Sequence, residues 1–289
     1  MKQSANQAVN SVAVVGLGLI GGSFARDIRS SGFAGRIIGV DNNPAHAARA
    51  RELRLVDDIA TLADAVALAD LIIVAVPVDV AERLLPRVLD GIGADQTVTD
   101  VCSTKETLLK AVRQHPRRER FVAGHPMAGT EHSGPDAALE GLFRDKVGII
   151  CNREESAPAA VALVEQLYEA LGMRIEYLDG SRHDMHVAFV SHVSHAISYA
   201  LALTVLEKER DERQIFNLAS GGFSSTARLA KSSAAMWTPI FLANRDNVLS
   251  VLDTYLEKLG ELRTAIADND SQSLNALISA ANDIRRVLQ

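Results

Sequence analysis

The stretch Val12-Ala13-Val14-Val15-Gly16-Leu17-Gly18-Leu19-Ile20-Gly21 decides the architecture of this chain. A short apolar, largely β-branched run stops at a glycine, as a strand buried on both faces does. Three glycines follow at the spacing GxGxxG, and a helical run extends from about Gly21 to Arg29. In a strand–turn–helix context this spacing is a dinucleotide fingerprint. Gly16 permits the tight turn, Gly18 lets the backbone approach a pyrophosphate, and Gly21 lets the helix pack closely on the strand. The helix N-terminus then offers free amides to the phosphates. A second strand, Arg36-Ile37-Ile38-Gly39-Val40-Asp41, ends in a carboxylate twenty residues after Gly21, placed to hold ribose hydroxyls. That carboxylate repels a ribose 2′-phosphate, and Asn42 and Asn43 add no positive charge, so NAD is favoured over NADP. Only a cation such as Arg36 or Arg49 reaching the phosphate would reverse the preference. Cofactor-binding positions are expected at Gly16, Gly18, Leu19, Ile20, Gly21 and Asp41.

Outward from this motif the alternation continues. Residues 71–77, 97–101, 121–124, 147–151 and 175–179 read as strands, with helices at 44–54, up to Val88 and after Ser103. Such alternation predicts a parallel sheet covered on both faces. After Asp179 no strand-like run remains. Val248, Val251, Leu252, Tyr255, Leu256, Leu259 and Leu262 recur at helical spacing, as do Leu274, Leu277, Ile278, Ala281 and Ile284. Pro239 suits the first turn of the long helix they begin. The fold class is therefore α/β: a Rossmann-type NAD-binding domain over 1–179, with 1–10 as a flexible tail, followed by an all-helical domain over 180–289.

The chain has 289 residues, 47% hydrophobic and 23% charged, which excludes disordered and fibrous classes. A net charge of -6 gives it no global reason to seek nucleic acid or an anionic membrane. Two cysteines, Cys102 and Cys151, cannot build a disulfide framework, and a reducing, cytoplasmic setting is expected. The first ten residues lack the apolar core of a secretory signal. Residues 187–206 are as long as a membrane span, but Ser191, His192, Ser194, His195 and Ser198 interrupt them. A buried helix at the centre of the helical domain is expected instead.

Three further groups carry candidate chemistry. His125 follows a strand end, where such folds bind ligands, and is suited to general-base work. Ser103 follows another strand end and is placed to orient that imidazole. His183, His186, Ser191, His192 and His195 form the second group. At about 100° per residue the first two histidines fall opposite the last two, so no metal site is expected. Ser191 and His195 share a face that can line a cleft. The third group is Ser220-Gly221-Gly222-Phe223-Ser224-Ser225-Thr226-Ala227-Arg228, with Lys231, Met236 and Trp237. It reads as a carboxylate-binding wall centred on Arg228.

GLGLIGGS (16–23), DVCSTK (100–105), GHPMAGTEHSG (124–134), SHVSH (191–195) and SGGFSSTARLAKSSAAMW (220–237), in this order, resemble the prephenate/arogenate dehydrogenase family of tyrosine biosynthesis. The resemblance runs from Val12 to the C-terminal helices. It implies oxidative decarboxylation of prephenate to 4-hydroxyphenylpyruvate with hydride transfer to NAD. The alternative is a broader cyclohexadienyl or arogenate dehydrogenase that makes tyrosine directly. By the same resemblance His125 is the base, Ser103 orients it, and Arg228 binds a substrate carboxylate. Ser191, His195, Glu131, Trp237 and Gly221 belong to the substrate pocket, and the helical domain pairs two copies into a homodimer. Two stretches depart from the usual family pattern: SHVSH where members often read SHLPH, and Ser224-Ser225 where some carry charges.

Overall fold

In a computed structural model the chain is described over residues 7–212 and 214–287. The described strands are β1 (Val9–Val15), β2 (Ala34–Val40), β3 (Asp58–Ile59), β4 (Leu71–Val74), β5 (Thr97–Asp100), β6 (Phe121–Pro126), β7 (Val147–Cys151) and β8 (Arg174–Leu178). They form one sheet in the order β3-β2-β1-β4-β5-β6-β7-β8. The helices among them are α1 (Leu19–Ser31), α2 (Pro44–Glu52), α3 (Leu62–Leu68), α4 (Val78–Gly91), α5 (Glu106–Val112) and α6 (Pro158–Ala170). Of the expected N-terminal tail, residues 1–6 lie outside the described residues, whereas Val9 and Asn10 already belong to β1.

Alternate residues of each central strand feed opposite faces. Val12 and Val14 join Phe24 and Ile28 of α1 on one side, while Ala13 and Val15 join Leu85 and Val88 of α4 on the other. That two-sided burial is why the strands read as continuous apolar runs rather than alternating ones. β1 lies between β2 and β4, so the chain's direction of travel across the sheet reverses there. A crevice opens at such a switch point, beyond the carboxyl ends of the strands.

The sheet is not wholly parallel, as the alternation had implied. β6 and β7 pair antiparallel, with His125 opposite Ile149, whereas β7 and β8 are parallel again. A parallel return requires a crossover, usually helical. Between β6 and β7 only the short 3₁₀ turn Pro135–Ala137 forms, so the chain re-enters the sheet at the end where β6 left it, with Gly148 beside Pro126.

Beyond β8 the described elements are helical: α7 (Gly180–Val187), a π turn (Ala188–His192), α8 (Val193–Glu209), α9 (Gly221–Ala227) and α10 (Ala234–Ala243). These helices belong to the same compact unit as the sheet, Met1–Asn244. The second unit, Arg245–Gln289, contains α11 (Arg245–Ala267) and α12 (Ser271–Ala281). Asp270 caps α12 by accepting from the Gln272 and Ser273 amides at 3.1 and 3.0 Å.

Two helical expectations change. Pro239 lies inside α10, not in the first turn of the long helix, which starts after Asn244. Lacking an N–H, it leaves the Ala235 carbonyl without its helical partner. The apolar helix is also not buried within the chain. In α8 only Ser198 is buried, and Leu203 and Leu206 are exposed. The continuous segment Gly180–Glu209 is long and apolar enough to cross a membrane by length and composition alone.

Candidate active site

The loop after β1 takes its shape from two glycines and leaves room at the third. Gly16 has φ +97°, a conformation that disfavours side chains, and a Cβ there would collide with the Ala75 carbonyl. At Gly21 a Cβ would collide with the Gly16 carbonyl, so helix and turn touch backbone to backbone. At Gly18 a Cβ would meet no protein atom within 4 Å. Nothing in the protein itself requires glycine there, which is what a ligand-facing position predicts. Gly18 is also the N-cap of α1 and supplies no side-chain cap, leaving the first-turn amides to an anion.

Asp41 directly follows β2, with its side chain 8% exposed. Its Oδ2 accepts the Leu17 amide at 2.9 Å and its Oδ1 accepts the Asn43 amide at 2.9 Å. The carboxylate is thus fixed against the glycine loop, with lone pairs left for ribose hydroxyls. Neither arginine able to counter it is free. Arg36 is paired with Asp58 at 2.8 Å, and Arg49 with Asp136 at 2.6 Å and Glu52 at 2.9 Å. His46 Nδ1 stands 3.9 Å from Asp41 Oδ2. The residues present fit NAD.

The carboxyl ends of β1, β4, β5 and β6 open into a cleft of about 530 Å³. It is lined by Gly18, Leu19, Ile20, Ser103, His125, Glu131, Ser191, His195, Arg228 and Trp237, among others. Gly16, Gly21 and Asp41 shape the loop behind it. Gly221 does not reach the cleft: it is exposed in the first turn of α9, and Lys231 is exposed as well.

His125 is 7% exposed, and the backbone that carries it is clamped by a buried ion pair. Asp100 Oδ1 accepts the Gly124 amide at 3.1 Å, and Oδ2 accepts the Cys102 amide at 2.9 Å. Lys105 Nζ pairs with Asp100 and donates to the Gly124 carbonyl at 2.6 Å. One pair therefore holds the residues preceding both Ser103 and His125. Both its side chains are fully buried, and removing one partner from such a pair costs about 3–5 kcal/mol. Burial alone would lower the Lys105 pKa, but Asp100 together with Cys102 and Cys151 opposes it and the net shift is upward.

The imidazole itself is held by a residue to which the sequence reading gave no catalytic part. His125 Nδ1 lies 2.8 Å from His183 Nε2, and His183 Nδ1 lies 2.8 Å from Asp184 Oδ1. Ser103 lines the cleft, but among the described residues no hydrogen bond joins it to His125. The partner that meets the imidazole here is His183, and Ser103 stands in the same cleft. Burial pushes the His125 pKa well down, and the neighbouring His183, Lys105 and His192 add to the shift.

The histidine group is rearranged relative to simple helical phasing. The π turn Ala188–His192 accommodates an extra residue and rotates the helix after it. His183 and His192 are both fully buried. Asn244 Nδ2 donates to the Asp184 carbonyl at 2.7 Å and meets His192 Nδ1 at 3.1 Å. Among the described residues no three His, Cys, Asp or Glu side chains are arranged to hold a metal ion. His195 stacks on Trp237 with centroids 3.5 Å apart and Nδ1 3.1 Å from the Ser191 carbonyl. Burial lowers its pKa, and Arg228 contributes. Sequence adjacency of His183 and Asp184 was the only available signal for this network, and it does not reveal what they face.

A helix start facing a buried imidazole across strand ends, with an arginine on the same cleft, defines an NAD-dependent oxidoreductase on a Rossmann-type fold. Comparison with known proteins narrows this class. Residues 24–177 match the family domain described as "Prephenate dehydrogenase, nucleotide-binding domain", and 179–280 match "Prephenate dehydrogenase, dimerization domain". The chain belongs to the prephenate dehydrogenase family. It is 32% identical to the prephenate dehydrogenase of Bacillus subtilis (strain 168), over 97% of this chain and 76% of that protein. It is 33% identical to the cyclohexadienyl dehydrogenase of Zymomonas mobilis, over 91% and 90% respectively. Its structure superposes on that of the prephenate dehydrogenase from A. aeolicus in complex with hydroxyphenyl propionate and NAD+ with a TM-score of 0.88. That match has 31% identity and covers 97% of this chain and 98% of that one.

Proposed function

We propose that this chain oxidises and decarboxylates prephenate to 4-hydroxyphenylpyruvate, with NAD as cofactor, in tyrosine biosynthesis. The observation that carries the reading is His125, a buried imidazole at the end of β6 that lines the cleft with Gly18 and Arg228. Bound NAD supplies the hydride acceptor. Arg228 holds a carboxylate of the substrate, and Trp237 with Met127 forms an apolar wall for its ring. His125 accepts the proton of the ring hydroxyl as hydride leaves the same carbon, and a carbonyl forms there. The bond to the ring carboxylate then breaks, releasing carbon dioxide, and its electron pair makes the ring aromatic. His125 returns its proton to the phenolate oxygen, so no net proton is consumed. A positioned base of this kind contributes about 10²–10⁴-fold.

Arogenate shares the ring, its carboxylate and the hydroxyl, and differs in carrying an ammonium where prephenate has a ketone. Glu131 lines the cleft and provides an acceptor for that ammonium, which supports some use of arogenate. Initial rates with prephenate and arogenate, each with NAD and with NADP, test the reading directly. Absence of NADH formation with both substrates would overturn it.

The assembly we infer is a homodimer. Leu203 and Leu206 of α8, and Leu256 and Ile266 of α11, are exposed apolar side chains that a second copy would cover. Such an interface also accounts for the apolar segment Gly180–Glu209 without a membrane. A reducing, cytoplasmic setting suits Cys102 and Cys151, both buried free thiols, the latter with its pKa pushed up by burial to about 12.

A further inference from the structure

We propose that His183 and Asp184 act as a positioning relay that fixes the tautomer of His125 and keeps its Nε2 bare toward the cleft. The inference rests on the reading of His125 as the base. Asp184 accepts from three donors: the Lys105 and Glu106 amides at 2.7 and 3.0 Å, and His183 Nδ1 at 2.8 Å. A carboxylate held by backbone donors in this way is an acceptor, so His183 Nδ1 carries the proton. Burial keeps His183 neutral, with its contact to Asp184 opposing the shift. Neutral His183 therefore presents a lone pair at Nε2. That lone pair lies 2.8 Å from His125 Nδ1, which must be the protonated nitrogen. The assignment follows from the hydrogen-bond network and leaves Nε2 of His125 as the only nitrogen able to take a proton.

The arrangement does more than end a helix. Capping the first turn of α5 needs only the Asp184 carboxylate, whereas the interposed imidazole is fully buried and edge-on to His125. When His125 takes the hydroxyl proton, the resulting imidazolium keeps an acceptor at Nδ1, and that acceptor is itself polarised by Asp184. The relay moves no proton out of the site. It selects one tautomer and stabilises the charge that forms, as a buried carboxylate does for the histidine of a serine protease. The charged and titratable groups around His125 are Asp100 at the end of β5, Lys105 beside α5, His183 and Asp184 on α7, and His192 on the π turn.

The first test is ¹⁵N NMR of the full-length protein labelled in histidine. The relay requires His125 to be the Nδ1–H tautomer at neutral pH, and finding the Nε2–H tautomer overturns it whatever the activity. The second compares His183→Phe, which removes the acceptor, with His183→Gln, whose side-chain oxygen reaches a similar position. His183→Phe is expected to lower kcat between about 10- and 10⁴-fold, the upper figure being the loss on disabling a tautomer-fixing aspartate. KM for prephenate and NADH binding by fluorescence should stay within threefold, and the acid limb of the pH profile should move to lower pH. His183→Gln should recover most of the kcat. Unchanged kcat and pH profile in His183→Phe, or equal loss in both variants, would refute the relay. Should His183→Phe fail to fold, the tautomer in the unsubstituted protein and the kcat of His183→Gln decide. Failure of the base reading is seen separately, as full turnover in His125→Asn.

Discussion

Arg228 Nη1 donates to Glu131 Oε2 at 2.9 Å, so the cation expected to grip substrate already holds a carboxylate of the protein. Arg228 is half exposed and Glu131 largely covered. Backbone hydrogen bonding holds the Glu131 pKa down, and Arg228 adds to the effect. With Arg228 half in solvent the pair is weak enough for an arriving carboxylate to displace. Glu131→Gln should therefore lower KM for prephenate by up to about fivefold while lowering kcat/KM for arogenate. Equal changes for the two substrates would show that Glu131 does not read the side chain.

The glycine loop separates folding from cofactor binding. Gly21→Ala drives a methyl into the Gly16 carbonyl and should reduce the thermal midpoint measurably. Gly18→Ala meets no protein atom, so the midpoint without cofactor should hold while NAD affinity falls at least tenfold. Calorimetric titration with NAD alongside thermal melts checks both, and a Gly18→Ala protein with unaltered affinity would place the pyrophosphate elsewhere.

Asp41→Ala removes the charge that opposes a 2′-phosphate, and the ratio of kcat/KM for NAD to that for NADP should fall. Because the Leu17 amide also loses its acceptor, NAD use should weaken as well. Preference for NADP in the unsubstituted enzyme would contradict the role given to Asp41.

Acid should destabilise this fold before its carboxylates titrate. Burial lowers the His192 pKa from 6.5 to about 4, with His183 and His195 adding to the shift and Asp184 opposing it; His125 and His183 move the same way. Below pH 6.5 the unfolded chain takes up protons that the folded chain refuses, so stability is full above that pH and declines as pH falls toward 4. Urea midpoints at pH 7.5, 6 and 5 should drop in that order, and a flat series would disprove neutral burial of these imidazoles. The same downward shift keeps His125 unprotonated, so the acid limb of kcat/KM should lie below pH 6.5.

The proposed pairing covers α8 with a second copy and so requires its apolar side chains. Leu203→Glu combined with Leu206→Glu should convert the dimer to a monomer in sedimentation velocity at micromolar concentration. A unsubstituted chain that sediments as a fully active monomer would remove the case for pairing.

What was legible in the linear chain was whatever depends on near neighbours. The glycine spacing, the strand ending at Asp41 and the alternation of strand and helix all lie within short segments, where backbone sterics and side-chain period leave a local record. The exposed α8 and the antiparallel β7 were not legible, because period and length do not tell which surface covers a helix or from which side a strand returns. Nor was the company His125 keeps. His183 is 58 residues from it, and Arg228 is 97 residues from Glu131. Spacing constrains such pairs only through every element between them, including the π turn Ala188–His192, which departs from simple helical phasing. The sequence alone determined that a dinucleotide loop and a candidate base exist. Tertiary packing decided which nitrogen of that base is held and which carboxylate occupies the arginine.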